Sequence, residues 1–181
     1  MGATIYFEDE TSIRQNVLSG KTWAPKGKTP ILHRSGKRVG YTVAGAIGSN
    51  GKLYRQSYEG GMNAERYVEF LKGLLKTTRK PVILIHDGLP AHKAIKVKEF
   101  LATKADKIKC YQLPGYSPDL NPIEFLWSML KKFLGRRIQK SREKLREQAL
   151  EFLSKYHDVK GLIIRLIEKV YGKLSTPCMS Q

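Results

Sequence analysis

Long apolar runs are missing from this chain. No stretch of about 18 uninterrupted apolar residues occurs, so no segment reads as a membrane-spanning helix and no membrane partner is expected. The start, MGATIYFEDE, lacks the basic-then-apolar pattern of a secretory leader. Cysteine is scarce. Cys110 and Cys178 stand far apart and match no metal-binding spacing, so free thiols in a reducing compartment are expected. There is no internal repeat and no low-complexity segment.

Negative charge is also missing where positive charge is dense. Between Glu10 and Glu59 there is no acid, yet nine bases fall there: Arg14, Lys21, Lys26, Lys28, Arg34, Lys37, Arg38, Lys52 and Arg55. A second basic stretch runs through Lys131, Lys132, Arg136, Arg137 and Lys140. Over the whole chain 33 Lys and Arg face 16 Asp and Glu, a formal +17. So lopsided an excess points to a polyanion, with nucleic acid first. A basic soluble surface without a partner is the plainer reading.

What is present suits one domain. The 181 residues are 41% hydrophobic, enough for a real core. Alternation predicts a strand over 4–8, in which Asp9 continues the face of Ile5 and Phe7 while Glu8 and Glu10 point the other way. The loop GKTWAPKGKTP presents Trp23, either as a lid on the core edge or as a DNA contact. Strands are predicted over 39–47 and 53–58, joined by a hairpin at Asn50-Gly51. Asn63 caps a helix over 64–77. A strand apolar on both faces, 82–86, reads as central to a sheet. A helix over about 92–104 turns Ala94, Val97 and Leu101 inward, and a short strand covers 108–113. After the turn-rich loop 114–121, Asn121 caps a helix with Pro122 in its first position. Two more helices are predicted, 141–156 and 159 to about 174. The order gives an α/β fold, a mixed five-stranded sheet with helices on both faces and extra C-terminal helices.

Three acids stand at the edges of buried elements: Asp9, Asp87 and Glu124. Phosphodiester chemistry commonly uses two divalent cations about 4 Å apart, and hard cations such as Mg²⁺ take carboxylate oxygens. Each acid also has a structural reading. Asp87 precedes Gly88 and suits a turn, Glu124 lies three residues after Asn121 as in a capping box, and Asp9 can be one of several exposed acids.

The segments FEDE around Asp9, HDGLPAH around Asp87 and YSPDLNPIEFLW through Glu124 resemble the mariner-like insertion-sequence transposases of the DDE superfamily. GKTWAPKGKTP is similar to a loop of the bacterial members. The resemblance covers roughly 4–138, and its SPDLNPIE-x-x-W run is long and specific. It implies a ribonuclease-H-like fold, with Asp9, Asp87 and Glu124 as the catalytic, metal-binding triad. It also implies two Mg²⁺ ions, or Mn²⁺ in their place. The implied partners are double-stranded DNA, as transposon ends and target, and a second copy in a homodimer. The 36 residues between Asp87 and Glu124 are slightly more than usual for the superfamily. Gly88 stands where many relatives have Asn. His92 falls where relatives often carry a His, either to orient the site or to begin a helix.

Relatives place helix-turn-helix modules before the catalytic domain, and none fits before Asp9. The expectation is a single catalytic domain, 1–181, of cytoplasmic, nucleoid-associated prokaryotic origin. It would cleave transposon ends and transfer the 3′-OH to target DNA. A structure-selective endonuclease of the same fold and a non-catalytic DNA-binding relative are the rival readings.

Overall fold

A computed structural model describes residues 2–14, 25–28, 40–135, 141–157 and 160–172. Trp23 and the rest of its loop apart from residues 25–28, together with Lys21, Arg34, Lys37, Arg38, Arg136, Arg137, Lys140 and Cys178, lie outside the described residues. Strands β1 (Thr4–Arg14), β2 (Gly40–Gly48) and β3 (Leu53–Glu59) are followed by helix α1 (Ala64–Lys76). Strand β4 (Val82–His86), a 3₁₀ turn (Pro90–Lys93), helix α2 (Ile95–Ala102) and strand β5 (Ile108–Gln112) come next. A second 3₁₀ turn, Pro118–Leu120, leads into α3 (Ile123–Gly135), α4 (Arg142–His157) and α5 (Lys160–Tyr171).

The sheet order is β3-β2-β1-β4-β5. β1, β2 and β3 form the expected antiparallel meander, and β4 and β5 run parallel to β1. The hairpin turns at Gly51, whose φ of +78° suits glycine. Alternation along β1 divides the core as the pattern required. Phe7 and Ile13 join Ile123, Leu126, Trp127 and Leu130 under α3, α4 and α5. Tyr6 faces the opposite side, with Tyr67, Phe70, Leu71 and Val97 from α1 and α2. Asn63 caps α1, its side-chain oxygen accepting from the Arg66 N–H at 2.9 Å. Among the described residues no helix is long and apolar enough to cross a membrane.

Four boundaries move, each for a local reason. β1 runs to Arg14 rather than stopping at residue 8, because its ladder with β2 continues to the Arg14–Gly40 pair. The helix expected over 92–104 splits at Ala94, which is extended (ψ 146°), so His92 sits in a separate turn. α3 starts at Ile123, and the Asn121 side chain does not cap it but reaches β1 instead. α5 ends at Tyr171 because Gly172 takes φ +71°.

Candidate active site

β1 outruns β4, and that difference creates the site. The parallel register places Phe7 beside Ile85. Two residues on, Asp9 and Asp87 come side by side, just past the end of β4. Asp9 is therefore mid-strand, paired to Gly45 of β2 on one flank and released from β4 on the other. One oxygen each from Asp9, Glu10 and Asp87 lies within 4.8 Å of the others.

Glu124 arrives from α3, where it is the second residue. Two bonds across the chain dock this helix start on β1. Asn121 donates from Nδ2 to the Glu8 carbonyl at 2.9 Å, and Trp127, three residues after Glu124, donates from Nε1 to Asp9 Oδ2 at 3.1 Å. Gly45 makes room for that indole. A Cβ there would stand 2.7 Å from Trp127 Cη2 and 3.1 Å from Ile123 Cδ1.

The three acids share one electrostatic environment. Burial, and then the charge of Glu124, push the Asp9 carboxyl up from 3.8 to about 8. Asp87 is also raised by burial, but its bond to His92 and the Leu89 N–H outweigh that and hold it below 3.8. The structure thus brings Asp9 and Asp87 together with Glu10, while Glu124 acts on Asp9 through its charge and is in none of the clusters whose ligand atoms lie within 4.8 Å among the described residues.

Beneath them lies a layer of residues in which the sequence flags only His92, as a residue that orients the site or begins a helix. His92 Nε2 donates to Glu10 Oε1 at 3.1 Å, and its Nδ1 lies 3.3 Å from Asp87 Oδ1. Burial disfavours the charged ring, yet those two bonds prevail and lift His92 to about 10. His92 is therefore an imidazolium that holds Asp87 in place. His86 is pushed down to about 4 by burial and by the neighbouring His92 charge. Glu8 is fully buried, and burial followed by the Glu10 charge holds it well above the carboxylate range. The parity of β1 was the available signal, since it sends Glu8 and Glu10 to one face together. At Gly88, a Cβ would meet the Gln112 amide at 2.6 Å, so a carboxamide from β5 fills the space that an Asn side chain would enter.

Of the basic stretches, Lys26, Lys28, Lys131 and Lys132 are exposed. Cys110 is a free thiol.

The chain is similar to known proteins in both sequence and fold. Residues 4–146 match the family described as DDE superfamily endonuclease. The chain is 32% identical over 140 residues to the 39 kDa protein of insertion element IS630 from Shigella sonnei, a match covering 75% of this chain and 40% of that one. It is 30% identical over 139 residues to the Tc3 transposase of Caenorhabditis elegans, covering 72% of this chain and 42% of that one. The chain therefore spans about two-fifths of the length of these curated relatives. Among solved structures, the Mos1 mariner paired-end complex with Mn superposes with a TM-score of 0.72 at 22% identity, covering 92% of this chain and 52% of that one. The Mos1 catalytic domain superposes with a TM-score of 0.63 at 20% identity, covering 93% and 78%. These likenesses establish the ribonuclease-H-like fold.

Two outcomes are expected of the geometry. Gly45→Ala forces the Trp127 ring aside and should cost about 1–3 kcal/mol of stability, read from denaturant midpoints. Unchanged stability would mean that the indole does not lie across Gly45. The second outcome concerns pH. Asp9 and His92 both hold their protons more tightly when folded, so each stabilises the fold at low pH and loses that contribution as pH rises. The Asp9 loss spans 3.8 to about 8, and the His92 loss spans 6.5 to about 10. Asp87, being lowered, acts in the opposite sense as pH falls below 3.8. His86, lowered to about 4, gains stability as pH rises to 6.5, and the buried Glu8, raised well above 4.5, offsets that gain. Chelator-treated protein should therefore weaken from about pH 4.5 upward, and Asp9→Asn should flatten only the lower part of that decline. An unaltered profile in Asp9→Asn would remove Asp9 from the account.

Proposed function

The chain belongs to the DDE superfamily of endonucleases, and on that premise we propose that it is the catalytic unit of a metal-dependent DNA transposase. The observation that carries this reading is the pairing of Asp9 with Asp87 at the point where β1 outruns β4, with the charge of Glu124 acting on Asp9. The donor set fits a hard divalent cation. All the donors are carboxylate oxygens. Asp9 lacks a counter-charge strong enough to keep it ionised, and Oε2 of Glu10, which is grouped with Asp9 and Asp87, is buried with no hydrogen-bond partner among the described residues. Asp9 and Asp87 would hold the cations between them, with Glu124 completing the set and Glu10 within reach. Bound there, Mg²⁺ or Mn²⁺ supplies Lewis-acid polarisation of the phosphodiester and activation of the attacking oxygen.

The chain's own groups set the stage for that chemistry. Trp127 fixes the rotamer of Asp9, and His92 fixes that of Asp87. The carboxylates act as ligands, with no covalent protein–DNA bond. Lys131 and Lys132, exposed on α3, suit the phosphate backbone without reading sequence. The substrate is double-stranded DNA, at transposon ends and then at target. Two copies would act on paired ends, a reading supported by the paired-end arrangement named for Mos1. The described elements work as one catalytic unit, since both cores pack on a single sheet.

The test is Mg²⁺- or Mn²⁺-dependent nicking of plasmid DNA, followed by joining of a pre-cut transposon end to target. Asp9→Asn, Asp87→Ala and Glu124→Gln should each lower nicking by about a thousand-fold, the worth of several kcal/mol of charge stabilisation. Equal nicking by wild type and Asp87→Ala would sink the catalytic reading. Hydrolysis without joined products would favour a nuclease over a transposase.

A further inference from the structure

Helix α5 lies beyond the residues that match the family, 4–146, yet its last residue touches both β1 and the turn that precedes α3. Tyr171 is its final residue, and Gly172 closes the helix by donating its N–H to the Glu168 carbonyl at 2.8 Å. The Tyr171 ring stacks on Phe7 with centroids 5.1 Å apart. Phe7 precedes Asp9 by two residues and shares its face of β1. The Tyr171 hydroxyl donates to the Leu120 carbonyl at 2.5 Å. Leu120 ends the turn that delivers Asn121 and then Glu124. Two residues earlier, the Lys169 ammonium sits 3.9 Å from the ring centre of Phe125, the neighbour of Glu124.

We propose that Tyr171 is a positioning residue for the active site, joining the strand that carries Asp9 to the turn that delivers Glu124. The proposal rests on the reading of those acids as the cation-holding set. A tyrosine suits the task, since its rigid ring and polar tip engage two elements with only two side-chain torsions to fix. Packing alone does not account for it. α5 is anchored by Ile163, Leu166 and Ile167, whereas Tyr171 remains 39% exposed and adds little to the core. Asn121 and Trp127 tie the start of α3 to β1 directly, and Tyr171 ties the turn before it to the same strand from outside. Without the third tie, the approach to Glu124 is joined to β1 through Asn121 and Trp127.

The experiment measures Mn²⁺ affinity by electron paramagnetic resonance on the full chain, together with the unfolding midpoint and the kcat and KM for plasmid nicking. Tyr171→Phe keeps the stacking and removes only the hydroxyl bond. It should weaken Mn²⁺ binding about five-fold, the worth of one hydrogen bond, and lower kcat with KM for DNA unchanged. Tyr171→Ala should weaken binding further. Ile163→Val loosens the same helix without touching Tyr171 and should leave Mn²⁺ affinity at the wild-type value. Wild-type affinity in Tyr171→Phe and Tyr171→Ala would overturn the proposal, as would equal weakening by Ile163→Val. Asp9→Asn separates the two levels of inference. If it abolishes Mn²⁺ binding while Tyr171→Phe changes nothing, the positioning role alone falls. If it binds Mn²⁺ as wild type does, the site reading falls, and the positioning role falls with it.

Discussion

β1 has to serve two ladders of different length, and most of the molecule follows from that. Its antiparallel ladder with β2 runs to Arg14, while its parallel ladder with β4 stops at the Phe7–Ile85 pair. From Glu8 onward one edge of a central strand has lost its neighbour. A buried strand edge must satisfy its polar groups in another way. Asn121 meets that need at the Glu8 carbonyl, which draws the start of α3 to the rim. The same contact brings Trp127 over Gly45 and onto Asp9. The site is thus a by-product of how the sheet narrows. It is held by bonds whose partners are more than 100 residues apart in sequence.

Electrostatics sets a second constraint. Glu8, Asp9, Glu10, Asp87 and Glu124 gather five of the chain's 16 acids in one place, and His92 is the cation bonded among them. Like charges at short range in a poorly solvated region oppose ionisation, and Asp9 shows it by holding its proton up to about 8. His92 relieves Asp87 and Glu10 but lies on the face of β1 away from Asp9. The charge deficit is therefore greatest where Asp9 and Glu124 meet. Such an arrangement costs stability unless a proton or a cation resolves it.

Much of this was legible in the chain. The parity of β1 singled out Asp9 from three consecutive acids. The apolar run ending at His86 placed Asp87 at a strand end, and the Asn-Gly pair marked the hairpin. The missing parts share a cause. Trp127 reads as one more apolar residue on an amphipathic helix, because its indole partner lies 118 positions away. Asn121 has the local signature of a helix cap, and tertiary context redirects its side chain to β1. Gly45 looks like any small residue in a strand, since the ring it admits comes from α3. The extension of β1 was hidden because Glu8, Asp9 and Glu10 break the apolar pattern where the strand continues. Local propensity captured the elements, whereas the contacts that build the site are long-range.

The charge pattern links the site to its proposed substrate. Overall the chain is strongly basic, and exposed lysines on α3 favour a phosphate backbone. The same helix carries Glu124 in its first turn, so a backbone drawn along α3 would be led toward these acids. A phosphodiester approaching Asp9, Asp87 and Glu124 without cations would meet like charge at close range. Cations held there would reverse the sign, neutralising the carboxylates and the phosphate together. The basic surface supplies attraction at a distance, and the acids make the last few ångströms conditional on metal. On the proposed reading, affinity for DNA would rest on the lysines of α3, and cleavage on Asp9 of β1 and Asp87 past β4 together with Glu124.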